Sequence, residues 1–130
     1  MNSPVNNTAD TQVGFLVTCD REKAKHFYLE TLGLAFDYED EFALVLRCGS
    51  NPVRISEMQN FQPQPFTVLG WEVTDIEDRV RALVSLGVEL IRYPGLEQDE
   101  LGLWQAPGSN ARICWFHDPD QNLLSLSECS

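Results

Sequence analysis

Gly14-Phe15-Leu16-Val17-Thr18 leads through Asp20 into a stretch that closes at Leu32-Gly33, and Gly70-Trp71-Glu72-Val73-Thr74 leads through Asp75 into one that closes at Leu86-Gly87. One pattern (glycine, aromatic, any residue, valine, threonine, then aspartate and a segment ended by Leu-Gly) therefore occurs twice, the second copy slightly shorter. Such self-similarity marks a duplicated supersecondary unit. In the first copy Asp20 is placed to accept from the free amides of a helix's first turn. Ala24, Phe27, Tyr28 and Leu32 recur at helical spacing, and Gly33 supplies a left-handed stop. In the second copy Thr74 and Glu77 have capping-box spacing, Ile76, Val80, Leu83 and Val84 form one apolar stripe, and Gly87 ends it.

Runs rich in β-formers follow each helix, at 34–38, 42–47 and 53–57 in the first half and at 88–93, 111–117 and 123–127 in the second. With leading strands near 12–18 and 66–73, each half reads strand, helix, strand, strand, strand. Residues 101–104 form a candidate additional short strand beyond the polar loop at 95–100. The organisation expected is a flexible tail at 1–11, a first βαβββ unit at 12–58, a linker at 59–65 carrying Pro63 and Pro65, and a second unit at 66–130. The two units together make one domain.

The 130 residues are 43% hydrophobic, enough for one packed core, which excludes disorder as the main state. A net charge of -11 repels a phosphate backbone, so nucleic acid is excluded as a partner and a cationic ligand is favoured over an anionic one. No apolar run is long enough for a membrane span, and the first eleven residues lack the basic start and apolar stretch of a signal peptide, so a cytoplasmic location is expected. Cys19, Cys48, Cys114 and Cys129 lie far apart with no Cys-x-x-Cys pair, which suits separate reduced thiols.

Two βαβββ units, the Phe27-Tyr28 and Leu32-Gly33-Leu34 pairings and the hairpin Trp115-Phe116-His117-Asp118-Pro119-Asp120-Gln121-Asn122-Leu123-Leu124 together resemble the vicinal oxygen chelate superfamily. That superfamily includes glyoxalase I, extradiol dioxygenases, fosfomycin-resistance enzymes and bleomycin-resistance proteins. The resemblance runs over about residues 12–128. It implies an α+β fold: a curved eight-stranded mixed sheet around a cavity, helices outside, assembled as a homodimer. The hairpin departs from the family at Gln121, where glycine is usual; a side chain at positive φ costs about 1–2 kcal/mol.

In the family's metal-dependent members, histidine, glutamine and glutamate side chains from the first, fourth, fifth and eighth strands hold a divalent ion while open positions receive substrate oxygens. The equivalent positions here are Gln12, or Val13 if the count runs from the helix; Glu57, or Ser56 after a one-residue slip; Val68; and Ser125. Gln12 and Glu57 alone fall short of a catalytic metal site, so a cavity with neither metal nor cofactor is expected. His26, inside the first helix, and His117, beside the Asp118-Pro119 turn, do not supply the missing ligands.

Strand alternation puts Val68, Gly70 and Glu72 on one face, so Glu72 is the leading polar contact, while Trp71 turns to the helix side. Trp71, Trp104 and Trp115 offer broad aromatic surfaces for a planar ring or a cation, with Trp104 and Phe61 as the rim candidates. Cys114 reads as a packing thiol. Like the bleomycin-resistance branch, the chain is expected to sequester a cationic or planar aromatic small molecule without chemistry. The alternative is a metal-dependent glyoxalase-like lyase, isomerase or dioxygenase with Gln12 and Glu57 on the ion and Glu72 as base.

Overall fold

The structure is a computed structural model that describes residues 9–129. Most of the expected N-terminal tail and the last residue of the second unit lie outside that range. Strand β1 (Gly14–Thr18) delivers the chain to Asp20, whose carboxylate accepts from the N–H groups of Glu22 and Lys23 at 3.1 and 3.3 Å and so starts α1 (Arg21–Lys25). The helix widens into a π-helical segment, His26–Thr31, in which the Leu32 N–H donates five residues back to the Phe27 carbonyl. Ala24 and Tyr28 are buried on its inner side. Strands β2 (Ala35–Glu39), β3 (Ala43–Cys48) and β4 (Asn51–Glu57) complete the first unit.

The second unit repeats the plan with β5 (Thr67–Glu72), α2 (Ile76–Ser85), β6 (Trp104–Gln105), β7 (Arg112–His117) and β8 (Leu123–Glu128). Two local expectations are corrected. The Thr74–Glu77 capping box does not form, because the N-cap falls one residue later at Asp75, which makes no side-chain cap bond. Glu128 instead accepts from the Ile76 N–H, and Glu77 pairs with Arg112. Val84 lies at the edge of the α2 stripe and is 52% exposed, leaving Ile76, Val80 and Leu83 as the buried face.

The sixth strand is the short segment around Trp104, and residues 88–93 form no strand. The physical reason is the Gln98 carboxamide: it accepts from the Tyr93 N–H at 2.8 Å and donates to the Ile91 and Gly102 carbonyls at 2.9 Å. One side chain thereby satisfies backbone groups that a neighbouring strand would have paired. Only the Ile91 N–H reaches across the sheet, donating to the Trp115 carbonyl at 2.8 Å.

The eight strands divide into two four-stranded mixed sheets, ordered β1-β4-β3-β2 and β5-β8-β7-β6, each with a parallel pair between its first and last strands. The sheets are not closed on each other. Both direct one face into a single core, with Leu16, Leu44, Leu46, Val53 and Ile55 from the first sheet and Cys114, Phe116, Leu124 and Leu126 from the second. Ala24, Tyr28, Ile76, Val80 and Leu83 come from the helices. By pleat alternation the other face of each sheet looks away from this core.

The Asp118–Asn122 hairpin bolts the second unit to the first: Asn122 donates to the Val17 carbonyl at 2.9 Å, and Asp120 accepts from the Thr18 hydroxyl at 2.5 Å. Gln121 has φ 69°, in the left-handed region. Gln121→Gly is therefore expected to raise stability by about 1 kcal/mol, read as an increased urea midpoint at unchanged slope. A lowered midpoint would show that the glutamine side chain outweighs its backbone strain.

Candidate functional site

On the outward face of the second sheet, β7 carries Trp115 opposite Ser125 of β8, and β6 carries Trp104 opposite Ile113. The two indoles lie with ring centroids 6.2 Å apart, and Tyr93 meets Trp115 edge-on at 5.3 Å with planes at 83°. Gln98 fixes the backbone of Tyr93, so the loop after α2 delivers the third ring to the sheet. All three rings are half-buried, each keeping part of its surface open. Such a platform offers π-faces to planar ligands and a negative quadrupole to cations.

The polar groups of this face are supplied by the parallel pair at its edge. Gly70 stands opposite Ser125 and Glu72 opposite Ser127. A Cβ on Gly70 would come within 2.4 Å of the Ser125 hydroxyl, so glycine there is what leaves Ser125 in place. Glu72 is exposed and has no ion-pair partner among the described residues. It sits two strands and one pleat repeat from Trp115, a separation of roughly 10–12 Å.

The structure thus gathers three of the residues singled out in the sequence, Glu72, Ser125 and Trp104, on one face. The others lie elsewhere. Val68 falls at the bulge between Thr67 and Leu69 and packs against the core. Gln12 precedes β1 and lines a cleft with Asn51, Leu69 and Trp71 at the seam between the units. Glu57 pairs in register with Thr18 and faces Arg21 at 3.8 Å, so Ser56, not Glu57, shares the outward face with Phe15 and Arg54. Phe61 is half-buried in the linker, outside the three-ring cluster, and His26 and His117 are exposed. Trp71 turns to the core side as alternation requires. Burial pushes the Cys114 thiol up to about 11, which suits a packing thiol and leaves almost no thiolate near neutral pH.

In the sequence Trp115 is one of three tryptophans able to offer an aromatic surface, with its face unassigned, and Tyr93 carries no such signal. The available signal was alternation: Cys114 and Phe116 are buried core residues, which puts the Trp115 between them on the opposite face.

The donor chemistry at the four family positions does not suit a divalent ion. Val68 has no lone pair to give, Ser125 is a neutral hydroxyl, Gln12 lies at the seam and Glu57 turns to the helix side of β4. Among the described residues, no group of three or more His, Cys, Asp or Glu side chains is arranged to hold a metal. No described helix is long and apolar enough to cross a membrane.

No protein-family model matches the chain, and no curated protein matches it in sequence. Solved structures do. A glyoxalase family protein from Bacillus anthracis superposes with a TM-score of 0.76 at 20% identity, covering 100% of both chains. A member of the glyoxalase/bleomycin resistance protein/dioxygenase superfamily from Sphaerobacter thermophilus gives 0.72 at 19% identity over 92% of this chain and 96% of its own. TnmS3, an antibiotic binding protein from Streptomyces sp. CB03234, gives 0.71 at 22% identity over 93% and 96%. The chain therefore has the fold of the glyoxalase/bleomycin resistance/dioxygenase superfamily, the vicinal oxygen chelate fold that its repeat and hairpin imply.

Proposed function

We propose that this protein binds and sequesters a small planar molecule carrying a positive charge, using the outward face of the second sheet and no metal ion. The observation that carries the reading is the cluster of Tyr93, Trp104 and Trp115 rings together with the Glu72 carboxylate, which has no ion-pair partner among the described residues, on the same face. A net charge of -11 adds long-range attraction for a cation. Affinity comes from aromatic burial, while Glu72 orients the charged end of the ligand. A fold shared with an antibiotic binding protein is consistent with capture of a drug-like molecule. The exposed Phe15 and Tyr38, on the outward side of the first sheet around Arg54, support a homodimer in which a second copy covers that face.

The test is a nitrogen-15 NMR titration with planar organic cations such as ethidium and with metal-free bleomycin, in chelator. Shifts are expected at the Trp104 and Trp115 indole N–H groups and at the amides of 72, 125 and 127. Shifts centred on other residues, or no saturable response from any such compound, would overturn the reading.

A further inference from the structure

On the opposite side of the second sheet from the aromatic platform, a cleft of about 440 Å³ opens between the two units. Its inner wall is apolar, built from Leu32 and Leu34 after α1, Trp71 of β5, Leu83 of α2 and Leu126 of β8. Its mouth passes Gly33 and Gly49, both at positive φ, and a Cβ at either would meet nothing within 4 Å.

The charged groups at this cleft are not equivalent. The Arg47 guanidinium is already bonded to Asp37 at 2.7 Å and to the Ser50 carbonyl at 3.2 Å. Glu72 also borders the cleft, but alternation from Trp71 sends its side chain to the other face. Arg79, one turn before Leu83 on α2, has no ion-pair partner among the described residues. A chain with 20 acidic and 9 basic residues thus leaves an uncommitted guanidinium at the rim of an apolar cleft.

We propose that this seam is a second binding site, for an amphiphile with an apolar chain and one terminal carboxylate. The volume lies in the range of small-molecule sites, the apolar wall takes the chain, and Arg79 takes the carboxylate through its planar fork of donors. A second cleft, of about 310 Å³, shares Cys48 and Trp71 with the first and gives a longer chain room to continue toward Gln12. This site is chemically the converse of the platform on the other side of the sheet, taking an anion where the platform takes a cation.

Calorimetric titration of the full chain with decanoate below its micelle concentration tests it. Saturable one-to-one binding is expected, weakened at least fivefold by Arg79→Gln and abolished by Ala82→Trp, which fills the cleft from an exposed helix position. Decyltrimethylammonium, with the same chain and the opposite charge, is expected not to bind there. Trp115→Ala is expected to leave decanoate affinity unchanged, which separates this site from the platform. The proposal is overturned if decanoate does not bind, if both amphiphiles bind equally, or if Arg79→Gln and Ala82→Trp bind decanoate as the parent does.

Discussion

Asp118→Ala is expected to remove about 3–5 kcal/mol of stability, a drop in Tm on the order of 10–20 °C. Asp118 is only 3% exposed, and its carboxylate accepts from the Tyr28 hydroxyl at 2.6 Å and the Asn122 side-chain amide at 2.8 Å. It also accepts from the backbone N–H groups of Asp120 and Asn122 at 2.8 and 2.9 Å. Alanine leaves the buried Tyr28 hydroxyl and Asn122 N–H without their acceptor and removes one of the two acceptors of the Asn122 side-chain amide. It also frees the hairpin that joins β8 to β1 through Asn122 and Asp120. Tyr28→Phe removes a single donor and is expected to cost less, about 1.5–3 kcal/mol. An alanine variant within 1 kcal/mol of the parent would show that this network contributes little.

The same carboxylate gives stability a pH dependence of definite sign. Burial holds the Asp118 carboxyl above the usual range, against the pull of its hydrogen-bond donors. The folded chain then takes up this proton more readily than the unfolded chain. The contribution of Asp118 is fully favourable below the unfolded value of about 3.9 and is lost as pH rises through the folded value. Urea denaturation of the parent and of Asp118→Asn should therefore diverge in the parent's favour as pH falls from neutral toward 4. Glu39 and Asp40, whose carboxyls lie below the usual range through Lys25 and through the Phe42 and Ala43 amides respectively, push the other way in both proteins and cancel in the difference.

The second large effect is on ligand binding. Trp115→Ala is expected to weaken binding of a planar cation by about 10- to 50-fold, because Trp115 is the central ring against which both Trp104 and Tyr93 rest. Removing it deletes one stacking surface and loosens two more. Glu72→Gln should act more weakly, and its effect should fade with added salt, as expected for an exposed charge. Trp71→Phe, on the core side of the same sheet, should leave this affinity unchanged. Equal losses from Trp71→Phe and Trp115→Ala would point to a general loosening of the second unit.

Much of the fold was legible because it rests on local rules. The Asp20 cap, the Gly33 stop and the repeated strand pattern act over a few residues and needed no tertiary partner to be read. What was not legible depended on distant groups. The failure of residues 88–93 to form a strand is decided by the Gln98 side chain, and the cap of α2 comes from Glu128, more than forty residues along the chain. The site suffered from the two-residue period of strands, where a slip of one exchanges faces: Glu57 for Ser56 on β4. Trp115 shows the converse, a face that alternation fixes once Cys114 and Phe116 are known to be buried.

The decisive question is whether the four family ligand positions retain a place for a divalent ion. Calorimetric titration of chelator-stripped protein with Mn²⁺, Ni²⁺ and Zn²⁺ answers it directly. With Val68 and Ser125 in two of the four ligand positions and Glu57 turned to the helix side of β4, no one-per-chain binding tighter than micromolar is expected. Stoichiometric tight binding that disappears on replacing Gln12, Ser56 or Ser125 would contradict a metal-free binding protein and put a metal-dependent enzyme in its place.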